Sequence, residues 1–196
     1  MVQILNAILQ WVWIAVILVW LIGARMSKKR AATSSRAWMK GSVIRVGIAV
    51  LLVVLINTPA VRQSVMGLQN RVQVFDVAIL RYGGFVVALL GIAFAVWARI
   101  QIGRNWGVPM SLRENHELVT GGPYAIVRHP IYTGLFFALF GSAFFYQSPL
   151  MLLVTAIFAI YYIFAARREE RTMLEQFPDQ YPAYRSRTKM LIPFIF

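Results

Sequence analysis

Two short stretches hold the residue types that could do chemistry. The first runs Arg128-His129-Pro130-Ile131-Tyr132, directly after a long polar segment. Proline suits the first turn of a helix, where its missing N–H is no loss. Pro130 therefore predicts a helix start, with Arg128 and His129 at its mouth. Helix N-termini attract anions and disfavour added positive charge. Two basic side chains placed there invite an anionic partner such as a ligand carboxylate, or else they meet lipid headgroups. The second stretch is Arg167-Arg168-Glu169-Glu170, at the end of an apolar run. Carboxylates beside hydrocarbon need partners. They either form an ion network with the neighbouring arginines or accept hydrogen bonds from a bound polar ligand.

The elements that must position these residues are set by composition. The 196 residues are 59% hydrophobic and 14% charged, against about 25% charged in a typical soluble domain. Five apolar runs are candidate spans, over 4–24, 43–61, 77–100, 131–146 and 150–166. About 20 apolar residues cross the hydrocarbon core. The fold class expected is all-α, a membrane bundle of about five transmembrane helices in a single domain. Gly83, Gly84 and Gly91 give the third run a small-residue face for close helix contact. Arg81, one turn inside that run, is placed to snorkel. Gln147, Ser148 and Pro149 turn the fourth run into the fifth, so the two form a hairpin that returns Glu169 and Glu170 to the level of Arg128 and His129.

The charge balance is +13, from 20 Lys/Arg against 7 Asp/Glu. Segments 25–45, 99–128 and 167–189 hold 17 of the 20 basic residues. This alternation fits membrane topology better than nucleic-acid binding and places these segments in the cytoplasm, with the N-terminus outside. Residues 101–130 and 167–196 are then the catalytic segments, on the cytoplasmic face. With no cysteine and two histidines, His116 and His129, no metal site and no cysteine nucleophile are expected. In the tail, Met173, Leu174, Phe177, Tyr181 and Tyr184 share a face at helical spacing, and Pro178 divides the tail into two helices. Such a stripe also suits a surface helix lying on the bilayer.

Gly122-Pro123-Tyr124, Val127-Arg128-His129-Pro130, Tyr132 and Gly134, followed by Glu169-Glu170, Leu174, Phe177, Tyr181, Tyr184 and Arg187, resemble the isoprenylcysteine carboxyl methyltransferase family. That family lies within the wider group of membrane methyltransferases that includes phospholipid methyltransferases. The resemblance covers residues 101–193. It implies a cytoplasmic pocket for S-adenosylmethionine, closed by the long loop and the C-terminal helices. Carried over position by position, it implies cofactor contacts at His116, Glu117, Leu118, Val119, Tyr124, His129, Pro130, Ile131, Tyr132 and Glu169. Arg128, Arg167, Arg168 and Glu170 are the catalytic candidates. The chain departs from the family at Ala165, where an arginine associated with the lipid-linked substrate often stands, and at Pro178, where glycine is frequent.

The residue types suit that cofactor. Aromatic rings such as Tyr124 and Tyr132 can face a sulfonium, Arg128 or His129 can pair with a carboxylate, and the glutamates can accept from a ribose or an ammonium. No Gly-x-Gly-x-x-Gly follows a strand, which excludes a Rossmann-type methyltransferase. The implied reaction is carboxyl O-methylation of an isoprenylcysteine-like or other lipophilic acceptor entering from the bilayer. The alternatives are methylation of a phospholipid or amine, and a non-catalytic membrane binder of an amphiphile. The expected location is the inner membrane of a bacterium, or the endoplasmic reticulum in a eukaryote.

Overall fold

A computed structural model describes residues 1–26, 67, 77–103 and 117–193 of the chain. Five α-helices stand out among them: α1 (Val2–Met26), α2 (Ala78–Ile102), α3 (Pro130–Phe145), α4 (Pro149–Gln176) and α5 (Gln180–Arg187), with a 3-10 turn over Gly122–Ala125 before α3. No strand occurs among the described residues; the only β-pairing is an isolated parallel bridge between Val127 and Lys189. Helices α1, α2 and α4 are long and apolar enough to cross a membrane. Helix α3 is apolar but has 16 residues, about 24 Å at 1.5 Å per residue, short of a full span. The chain is a multi-pass membrane protein. The expected run over 43–61 and His116 lie outside the described residues.

Helices α2 and α3 are antiparallel and in backbone contact. A Cβ on Gly91 would sit 2.5 Å from the Ala138 amide, and one on Gly141 would sit 2.3 Å from the Ala88 amide. Gly84 and Gly134 meet the facing helix equally closely. Apolar helices gain nothing from each other by leaving lipid, so close packing of small residues has to hold them. Gly83, expected on the same face, has open space beside it: it stands 100° round the helix from Gly84. Helix α1 packs along both partners through Leu9 and Val16, against Ala88, Ile92, Ala138 and Phe145. Trp13 Nε1 donates to Ser142 Oγ at 3.2 Å and Tyr146 OH donates to Asn6 Oδ1 at 2.9 Å. Such bonds matter where water is absent.

The α3–α4 turn is as tight as its sequence suggests. Gln147 adopts a left-handed φ of 51°, and Ser148 caps α4 by accepting from Met151 N at 3.3 Å. Gln147 is buried; its Nε2 donates to Val77 O and its Oε1 accepts from Arg81 at 2.6 Å. Arg81 therefore reaches across to the turn, where a snorkelling side chain was expected.

The apolar run that ends near residue 166 and the first part of the tail form one helix: α4 runs unbroken for 28 residues to Gln176, and α5 follows Pro178, the division expected in the tail. Residues 165–176 are mostly strong helix formers, Ala, Arg, Glu, Met, Leu and Gln. Nothing breaks the helix until Pro178. Helix α4 thus carries Glu169 and Glu170 on a rigid rod.

Candidate functional site

Five residues, from the mouth of α3 and from α4, meet at the open end of the hairpin. Arg128 Nε donates to Glu170 Oε1 at 2.7 Å. His129 Nδ1 lies 3.2 Å from Glu169 Oε2, and its Nε2 lies 3.4 Å from Glu170 Oε1. Glu170 Oε1 is already taken by Arg128, and His129 Nε2 is buried without a hydrogen bond of good geometry. Tyr132 OH donates to Glu169 Oε1 at 3.2 Å. The side chains of Arg128, His129 and Glu170 are each under a tenth exposed, while Glu169 keeps 22% exposure. Of the two carboxylates, Glu169 is the one that faces outward.

Helical geometry explains the pairing. Pro130 opens α3 with His129 as the residue before its first turn, so Arg128, His129 and Tyr132 project from the helix mouth. On α4, Tyr162, Ala165, Ala166 and Glu170 are buried, all on the face turned to α3. Tyr132 stacks between His129, at 5.7 Å, and Tyr162, at 5.1 Å between ring centroids. One aromatic ring thus joins the polar cluster to the apolar hairpin.

The C-terminal segment completes the site. Arg128 N donates to Lys189 O at 2.8 Å, His129 N to Met190 O at 3.1 Å, and Thr133 Oγ1 to Leu191 O at 2.6 Å. Arg128 NH1 donates to the carbonyls of Arg185 and Thr188. Tyr184 OH donates to Tyr124 O at 2.7 Å, which fastens α5 to the 3-10 turn. These bonds satisfy backbone amides ahead of α3 that would otherwise be buried without partners.

Electrostatics follow from this enclosure. Burial opposes the charged form of His129, but its contacts with Glu169 and Glu170 and their negative charge outweigh that. Its pKa is raised above the ordinary imidazole value. Burial, with the nearby Glu169 charge, pushes the Tyr124 phenol well above its ordinary range, so it stays a neutral ring.

The structure brings together Arg128, His129, Pro130, Ile131, Tyr132, Glu169 and Glu170. Tyr124 is buried against Ala98 and Ile131, with Val119 packed on the same cluster. Leu118 is half-buried and Glu117 is exposed. Two expectations meet a different geometry. The Arg128 guanidinium, expected to receive an anion, is engaged through Nε and NH1 within the protein. Arg167 and Arg168 are exposed while Glu170 is buried, so the two arginines point out of the cluster that encloses the glutamate. In their place stands Arg185, which sequence reasoning passed over. Its Nε is 3.5 Å from Glu170 Oε2 and its side chain is 52% exposed. Tyr162 was also missed; its only signal was its place two turns before Glu169 on the inward face.

A family profile described as Phospholipid methyltransferase matches residues 79–180. The chain is 32% identical over 109 residues to the cobalt-zinc-cadmium resistance protein CzcN of Cupriavidus metallidurans, covering 55% of this chain and 48% of that protein. It is 31% identical over 116 residues to protein-S-isoprenylcysteine O-methyltransferase B of Arabidopsis thaliana, covering 57% and 58%. The chain thus spans about half the length of the curated relatives it matches. Among solved structures it resembles the eukaryotic intramembrane Ras methyltransferase ICMT, an isoprenylcysteine carboxyl methyltransferase. That likeness has 31% identity, a TM-score of 0.51, and covers 59% of this chain and 43% of that one.

Proposed function

Because the chain belongs to the phospholipid methyltransferase family, whose profile spans more than half of it, we propose that it is a membrane methyltransferase using S-adenosylmethionine. The observation that carries this reading is the enclosed cluster of His129, Tyr132, Glu169 and Glu170 at the mouth of α3. The donor set suits the cofactor. Glu169, partly exposed, offers a carboxylate to a ribose hydroxyl or an ammonium. The first-turn amides of α3, at Ile131 and Tyr132, offer the N–H groups that bind a carboxylate at a helix start. The rings of Tyr124 and Tyr132 offer faces for a cation. His129 Nε2 is a buried polar atom still lacking a good partner. When bound, the cofactor supplies an electrophilic methyl group on sulfonium.

The chain's own residues then have to orient and enclose. Arg128 and Glu170 fix the mouth of α3 to α4 and to the C-terminal segment, so the methyl acceptor meets a rigid wall. Positioning of this kind contributes about 7–11 kcal/mol to a bimolecular step. The acceptor is lipophilic and reaches the cluster from the bilayer, on the cytoplasmic face. The first reading is a carboxylate of isoprenylcysteine type, held by the half-exposed Arg185. Such a nucleophile is already ionised at neutral pH and needs no base. A second reading, an amine-bearing phospholipid, is favoured by the outward placement of Arg167 and Arg168, which leaves Arg185 as the guanidinium for a carboxylate. An amine has to lose a proton, and Glu169 is the exposed acceptor for it.

The test is methyl transfer from labelled cofactor to prenylcysteine, phospholipid and fatty-acid acceptors, with a pH–rate profile at saturating cofactor. A profile flat between about pH 6 and 9, with KM for the acceptor raised by Arg185→Ala, supports the carboxylate. A steep alkaline rise with Arg185→Ala unchanged supports the amine. No transfer to any acceptor, with no cofactor binding, overturns the proposal.

A further inference from the structure

Outside the cluster, α4 carries a second arrangement on its opposite face. Leu153, Ile157, Ile160 and Phe164 are each more than half exposed, and spacings of three and four residues put them in one stripe along the helix. The same stripe continues without a break into Arg167, Arg168 and Arg171, all exposed. At 100° per residue these seven side chains fall within an arc of about 100°. The buried residues Tyr162, Ala165, Ala166 and Glu170 occupy the other side. The continuation exists only because α4 does not stop at the end of its apolar run.

Depth gives the stripe its meaning. The three arginines lie about 5 to 10 Å along the axis beyond Phe164. That is the level of the headgroup layer, about 5–8 Å thick on each side of the hydrocarbon core. Among the described residues no ion pair joins these three arginines to a carboxylate. The one acidic residue on the same face, Glu175, stands a further turn out. A single helix face thus offers about 16 Å of exposed aliphatic and aromatic surface ending in three guanidiniums, the group best matched to phosphate oxygens. Its complement is an amphiphile with an acyl chain and a net negative headgroup.

We propose that this face of α4 is a binding site for an anionic phospholipid. The acyl chain lies along Leu153, Ile157, Ile160 and Phe164, and the phosphate is held by Arg167, Arg168 and Arg171. The site is separate from the cluster at Glu169 and Glu170, on the other side of the same helix, and does not depend on the chain being a methyltransferase. Neutral phospholipids share the phosphate but carry a compensating cation, which three closely spaced arginines repel.

The full chain is reconstituted in bilayers of equal phosphatidylglycerol and phosphatidylcholine and then extracted in mild detergent. The ratio of the two lipids that stay bound is measured. The wild type should hold phosphatidylglycerol several-fold over phosphatidylcholine, and enrichment should fall as sodium chloride is raised. The R167Q/R168Q/R171Q variant should return to the bulk ratio, while the matching triple lysine variant keeps most of the enrichment. R187Q/K189Q, which also removes charge but lies off the stripe, should remain enriched. A bulk ratio in the wild type overturns the proposal whatever the variants do. Undiminished enrichment in the triple glutamine variant, or equal loss in R187Q/K189Q, overturns it too. Because the readout is retained lipid, the absence of methyl transfer leaves it unaffected.

Discussion

His129 is held between two carboxylates in a site that water barely reaches, and its pKa is raised in the folded chain. A group with a raised folded pKa adds stability that is complete below its unfolded value, about 6.5, and is lost as pH climbs through the folded value. The melting temperature in detergent should therefore decline on the alkaline side of about pH 6.5, and His129→Gln should flatten that decline. The two glutamates should separate in the same assay. Glu170→Ala strands Arg128 without its carboxylate partner, and loss of one partner from a buried ion pair costs about 3–5 kcal/mol. Glu169→Ala removes a more exposed group; melting should change little while S-adenosylmethionine binding, read by calorimetry, weakens by roughly 1–3 kcal/mol. At this scale the sequence told much: adjacency of Arg128, His129 and Pro130 announced a helix mouth, and hairpin logic brought the glutamates to it. It could not tell which way consecutive side chains face. Glu170 turns in and Arg168 turns out because of the register of α4, which packing against α3 decides. Arg185 was hidden for a similar reason, since nothing local marks a residue brought in by the fold of the tail.

Among the elements, α2 and α3 form the contact on which the site rests. Gly91 and Gly83 lie in the same helix, but only Gly91 meets the backbone of its neighbour. Gly91→Ala should destabilise by about 1–3 kcal/mol through overpacking. Gly83→Ala should be neutral or slightly stabilising, by up to about 1 kcal/mol, since alanine is the better helix former. Unfolding in a graded denaturing detergent would compare them, and equal loss in both would mean the glycines act by flexibility. The apolar runs were read to within a few residues of α1, α2 and α3, because hydrocarbon length is a strong constraint. The change from apolar to charged near residue 166 marks the edge of the membrane and not the end of α4, which is marked by Pro178.

For the molecule as a whole, α1 and α2 run parallel, both antiparallel to α3, as the pairings Asn6–Tyr146 and Trp13–Ser142 require. The end of α1 and the start of α2 thus lie at opposite ends of the bundle. Reporter fusions at residue 70 and after α5 should then report opposite sides, with the latter cytoplasmic by the distribution of basic residues. Matching signals at both positions would refute this topology. The bonds from Thr188, Lys189, Met190 and Leu191 to the mouth of α3 have a further consequence, in the order of synthesis. Helices α1 to α4 can enter the bilayer as they emerge. The amides of Arg128 and His129, and the guanidinium between them and Glu170, must wait for carbonyls some sixty residues downstream. Until those residues leave the ribosome, the nascent chain carries an inserted hairpin with its charged mouth unfinished, so assembly of the cluster is timed by the completion of the segment that closes it.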